Sequence, residues 1–152
     1  MNRHQADYYL CNVYSLFFYL GNGHAPLQST ALIYPPIMPR PGIDLPQPML
    51  EHSLININSS FSFLIGGETE NDLYSFLTYF YNHLTNEWSN GPNLLQGRQG
   101  HAAGTVIDHG THQQHVVVVG GVGEFDGTVD ALDSVELLYY GKNEWSQGIY
   151  FA

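Results

Sequence analysis

His115-Val116-Val117-Val118-Val119-Gly120-Gly121 is the stretch on which the reading of this chain turns. Four consecutive valines with no polar alternation describe a β-strand buried on both faces. The two glycines that close it supply positive φ and leave no side chain at a crowded point. An apolar run closed in the same way, Phe61-Ser62-Phe63-Leu64-Ile65-Gly66-Gly67, lies 54 positions earlier. Working outward, Asn143-Glu144-Trp145 repeats Asn86-Glu87-Trp88 at a separation of 57, and His101-Ala102 answers His52-Ser53 at 49. One ordered set of positions therefore occurs twice, with a period of roughly 50 residues.

These positions resemble the kelch repeat: a His heading the first strand, a diglycine closing the second, then a Tyr and a Trp. The segment Tyr81-Asn82-His83-Leu84-Thr85-Asn86-Glu87-Trp88 is similar to the kelch pattern at Tyr81, Thr85, Asn86 and Trp88. Its Thr and Asn suit a tight turn through side-chain to backbone hydrogen bonds, and its Trp offers an apolar plate for packing between sheets. In the second copy the turn carries Gly141 and Lys142 and places Tyr139 six positions before Trp145. Leu45-Pro46-Gln47-Pro48 looks like the connection that leads into such a repeat.

The resemblance implies an all-β fold, an incomplete kelch-type β-propeller of about two to three four-stranded antiparallel blades. Residues 45–93 and 94–148 are expected to form one blade each, followed by a tail at 149–152. The first blade's strands are expected at His52 to Asn58, Ser60 to Ile65, Leu73 to Tyr81 and Glu87 to Asn90. The second's are expected at His101 to Ile107, His115 to Val119, Ser134 to Tyr140 and Glu144 to Gln147. Residues 1–44 read as an irregular N-terminal segment or a degraded blade. There Ser29 to Tyr34 resembles a third strand, while Pro35, Pro36, Pro39 and Pro41 put the fourth in doubt, because proline removes ladder donors. At about 50 residues per blade, 152 residues fall short of the 4 to 8 blades that close a ring. Inter-blade faces around Trp145 and Val116 to Val119 are then expected to lack cover on one side, favouring self-association or pairing with further blades.

Composition narrows the functions available. The chain is 43% hydrophobic and 12% charged, which suits an ordered β-rich domain and not a disordered one. Four Lys and Arg against fourteen Asp and Glu give a formal charge of −10, which repels a phosphate backbone and argues against nucleic acid. Cys11 is the only cysteine, so no intrachain disulfide is possible and a cytoplasmic location is the default expectation. Secretion is the alternative, since one Arg precedes a short apolar run near the N-terminus; Tyr8, Tyr9, Tyr14 and Tyr19 weaken it as a signal sequence. The triplet Asn58-Ser59-Ser60 is a glycosylation sequon that matters only in that case. No run approaches the ~18 apolar residues of a membrane helix.

His109, His112 and His115 follow one another at spacing three beside Asp108. Without a Cys partner or a closed ligand set they do not specify a dedicated metal site, and no cofactor is expected. Phosphate loops, a nucleophile elbow and a His-Glu-x-x-His helix are all missing from the sequence. The kelch resemblance implies a non-catalytic protein-protein interaction module, a substrate adaptor or scaffold of the sort often joined to a BTB domain and a cullin ubiquitin ligase. No BTB pattern is legible in this sequence. The alternatives are a fragment of a secreted propeller resembling galactose oxidase, and a structural fragment without independent activity. For an adaptor, the resemblance places partner binding on the rim formed by Arg98 and by the acidic connection Val122 to Asp133, with Glu124, Asp126 and Asp130. Such a rim suits a basic or mixed-charge peptide. His52, Gly66, Gly67, Tyr81, Trp88, His101, Gly120, Gly121, Tyr139 and Trp145 are expected to be structural positions of the repeat.

Overall fold

The computed structural model describes residues 31–34, 38–41, 43–139 and 141–148; the expectations for 1–30 and for the tail at 149–152 lie outside them. Among the described residues every regular element is a β-strand, and every pairing is antiparallel. The first four-stranded sheet has the order β4 (Ser53–Asn56), β5 (Phe61–Ile65), β7 (Thr78–Asn82), β8 (Glu87–Asn90). The second repeats it as β9 (Ala102–Ile107), β10 (Gln114–Val119), β13 (Val135–Leu138), β14 (Ser146–Gln147). In both, the strands lie side by side in chain order, as in a meander.

Three two-stranded pairings complete the fold, two of them hairpins. β1 (Ala31–Tyr34) pairs with β2 (Met38–Pro41). A strand thus forms where the prolines made one doubtful, and among the described residues each strand of this pair has an outer edge with no ladder partner, the place proline tolerates. β3 (Met49–Leu50) pairs with β6 (Glu68–Thr69). β11 (Val122–Phe125) pairs with β12 (Thr128–Ala131) through a two-residue turn. The third strand expected from Leu73 starts only at Thr78, because residues 70–77 form a loop in which Ser75 N–H donates to Gly67 O at 2.8 Å.

The two meanders stack through one apolar core. Phe63 and Ile65 of the first sheet meet Val116, Val118, Leu138 and Trp145 of the second, with Leu94 of the connecting segment between them. Phe63 lies parallel to Phe80 at 4.2 Å and to Trp145 at 6.1 Å between centroids. Trp145, Val116 and Val118 cover one side of the second sheet at this junction, and Trp145 Nε1 donates to Pro92 O at 2.8 Å. A second cluster joins Leu45, Met49, Leu64 and Tyr79, with Leu54 and Trp88, on the opposite face of the first sheet. β5 is therefore apolar on both faces, as its unalternating sequence requires.

Register settles which tyrosines correspond. Tyr81 pairs directly with Trp88, and their rings lie 4.9 Å apart. In the second sheet Leu137 pairs with Ser146, which puts Leu138 opposite Trp145. Leu138 thus takes the place expected for Tyr139, since a shift of one residue turns a strand's side chains to the other face. Tyr139 is exposed and meets His115 edge-on at 5.1 Å.

Candidate functional site

In a meander the turns fall alternately at opposite ends of the sheet. The loops between second and third strands, 66–77 and 120–134, therefore share one end with the connection 91–101 between the sheets. The turns 57–60, 83–86, 108–113 and 141–144 occupy the other end.

At the loop end the diglycines and the histidines fit together. Gly66 and Gly67 have φ of 55° and 103°, and Gly120 and Gly121 have 64° and 94°. A Cβ on Gly67 would lie 2.9 Å from His52 Cα, and one on Gly121 would lie 2.9 Å from His101 Cβ. The second glycine of each pair makes room for the histidine of its own repeat. Burial lowers the His52 pKa to about 4. The His101 pKa falls to about 4 through burial first, then the Arg98 charge and His52, against a smaller opposing pull from the Ile65 carbonyl. Both rings are held neutral, in structural surroundings.

The connection between the sheets is gripped from both sides. Gly67 N–H donates to Arg98 O at 2.8 Å, and Leu94 N–H to Phe76 O at 2.9 Å. On the other side Gln99 and Val122 exchange two backbone bonds of 3.0 and 2.9 Å. A Cβ on Gly97 would run into Tyr74 O, and one on Gly123 would lie 2.7 Å from Gly97 O. The two loops consequently meet across Gln96 to Gly100.

Arg98 is not on an exposed rim: it is 0% exposed. Its Nη2 donates to Glu136 Oε1 at 2.6 Å and to Ser134 Oγ at 3.0 Å, and its Nη1 to the carbonyls of Gly120 at 2.8 Å and Ser134 at 3.3 Å. Glu136 in turn accepts the N–H groups of Leu95 at 2.7 Å and Gln96 at 3.0 Å. The guanidinium is pulled inward because a buried carboxylate and three buried oxygens converge on it, satisfying the strict demands of a charge removed from water. Glu136 carried no signal of this in the sequence beyond its place in an apolar strand, where an unexplained carboxylate needs a partner.

Glu124, Asp126 and Asp130 do lie at the surface, but on a hairpin and not in an irregular loop. Asp126 and Gly127, with φ of 50° and 75°, make the left-handed pair of a type I′ turn, which Asp-Gly favours. Around them are exposed Phe125 (72%) and Val129 (53%), and on the neighbouring loop Leu73 (58%), Phe76, Leu77 and Glu70. With Arg98 consumed by Glu136, the segments 66–77, 91–101 and 120–134 present no exposed Lys or Arg; Lys142 sits in a turn at the other end. The loop end thus combines carboxylates with apolar side chains in water.

The histidine run divides. His115 is buried in β10 against Tyr139, while His109 and His112 are exposed at the end opposite the acidic hairpin. Among the described residues no three ligand-type side chains gather around one point. An open cleft of about 390 Å³ beside His112 is lined by Ile57, Asn58, Gln113 and Gln114, without a carboxylate.

No protein-family model matches the chain, and a search of curated proteins finds no match. Among solved structures it is similar to one described as "Structure of YjhT", with a TM-score of 0.61 and 15% identity, over 82% of this chain and 45% of that one. At this identity the likeness is one of fold, and the chain spans less than half the length of the structure it matches.

Proposed function

We propose that the two stacked sheets are consecutive blades of a kelch-type β-propeller, and that the chain is a non-catalytic interaction module holding a basic, partly apolar protein segment at its loop end. The propeller reading is supported by the repeated meander and by the matching His and diglycine packing. The observation that carries the binding role is the convergence of two loops bearing carboxylates and exposed apolar side chains, with no exposed cation among their described residues. Such a surface attracts cationic segments and offers their apolar residues partial burial. A substrate-adaptor or scaffold role, including a link to a ubiquitin ligase, is the form of this reading that the kelch resemblance adds.

Selection from a displayed library of random peptides on the immobilised chain tests the proposal. Enriched sequences should combine Lys or Arg with aliphatic or aromatic residues, and the E124K/D126K/D130K variant should release them. Peptides held equally by that variant would contradict it.

A further inference from the structure

The hairpin β11–β12 ends in a free edge. β11 is bonded along its outer side to Gln99, whereas among the described residues no strand pairs with the outer side of β12, whose four residues are all exposed. Which groups face outward follows from the ladder. Val122 directs both its N–H and its C=O at Gln99, so the Val122–Ala131 pair exchanges no bonds. Antiparallel pairs alternate, which makes Gly123–Asp130 and Phe125–Thr128 the bonded pairs and leaves Glu124–Val129 without bonds. Val129 N–H and C=O and Ala131 C=O therefore point away from β11, while the Ala131 N–H is taken by Asp130 Oδ1 at 2.7 Å.

Edge strands are kept single by short length, charged side chains, proline, a bulge or a covering element. β12 is short but has no proline, bulge or covering element among the described residues, and the charges on and beside it, Asp130, Asp126 and Asp133, are all carboxylates. Carboxylates repel acidic strands and attract basic ones, so the edge selects its partner by sign. We propose that β12 is the docking strand of the loop end: an extended basic segment adds to it antiparallel, exchanging two backbone bonds with Val129 and placing alternate cationic side chains beside Asp126, Asp130 and Asp133. This deepens the interaction role proposed above and rests on it.

The probe is a blocked heptapeptide alternating lysine with valine or phenylalanine, compared with the same peptide methylated on alternate backbone nitrogens, which keeps the charge and removes the donors. Val129→Pro removes the outward N–H of β12 without touching a bonded pair of the hairpin. The unmethylated peptide should bind the full chain and slow hydrogen exchange at the Val129 amide, while methylation and Val129→Pro should each weaken binding roughly tenfold. Equal binding of both peptides, or equal binding by Val129→Pro, overturns edge pairing and leaves the acidic loop end standing as the binding surface. A Val129 amide already protected in the free chain overturns it also, because another segment then covers the edge. If neither peptide binds, the edge proposal fails together with the role it rests on.

Discussion

Arg98 and Met49 stand 49 positions apart and fill the same place in successive repeats, as do Leu94 and Leu45, each pair leading into a histidine that heads a sheet. Their partners correspond as well. Glu136 and Tyr79 are 57 apart in the third strands, and Tyr79 OH accepts from Gln47 Nε2 at 3.0 Å where Glu136 accepts the guanidinium and two N–H groups. The same slot is thus filled once by an apolar chain beside a phenol and once by an ion pair. Removing one ion strands the other, so Glu136→Leu should cost about 3–5 kcal/mol. Combining Arg98→Met with Glu136→Tyr should recover most of that loss, since a buried pair is often replaceable by apolar residues of similar size; urea unfolding of the single and double variants measures the coupling. No residue type in the sequence distinguishes an arginine drawn inward by a partner 38 positions away from one on a rim, which is why Arg98 read as exposed.

The histidines give the residue scale its pH dependence. His52 and His101 have folded pKa values near 4 against an ordinary 6.5, so the unfolded chain binds more protons than the folded one between those limits. Stability should be level above about pH 6.5, fall as pH drops toward 4 and level off below as far as these two groups contribute. Each histidine accounts for up to about 3 kcal/mol of that fall, because a tenfold change in proton affinity corresponds to about 1.4 kcal/mol. Denaturant midpoints from pH 7 to pH 4 check the sign, and His101→Gln should flatten the slope.

At the scale of elements, two glycines separate conformational from packing demands. Gly121 and Gly127 both have positive φ, but a Cβ on Gly121 would lie 2.6 Å from Gln99 O, while one on Gly127 meets nothing within 4 Å. Gly127→Ala should therefore cost only the left-handed penalty of about 1–2 kcal/mol, and Gly121→Ala clearly more, compared by thermal unfolding. Strand order and the diglycine turns were legible because β-branched runs and paired glycines repeat together. The hairpin at Asp126-Gly127 was also written in the sequence, as Asp-Gly between Val122–Phe125 and Thr128–Ala131, but its charge drew the reading toward a loop. The Tyr139 position was not legible, because Leu138 stands seven positions before Trp145 as Tyr81 does before Trp88, so the tyrosine falls one residue later and faces the other way without any change of composition.

The whole molecule is unequal on its two sides. Ile55, Phe63, Ile65 and Phe80 face the second sheet and join the shared core, whereas the corresponding Gly104, Val117, Val119 and Leu137 on the far side of the second sheet are only half-buried. On the propeller reading this face adjoins a further blade. Light scattering on the purified chain should show self-association that Val117→Lys reduces; a monodisperse monomer would contradict that expectation. The two ends differ in their apolar and cationic groups, with carboxylates beside exposed Phe125, Val129 and Leu73 at one, and His109, His112 and Lys142 beside Asp108 and Glu144 at the other. Amide chemical-shift mapping on the labelled chain, titrated with the lysine-containing peptide, asks directly which end binds. Perturbations gathered in 66–77, 95–101 and 121–133 are the predicted result, and perturbations centred on 57–60 and 108–114 would contradict the account.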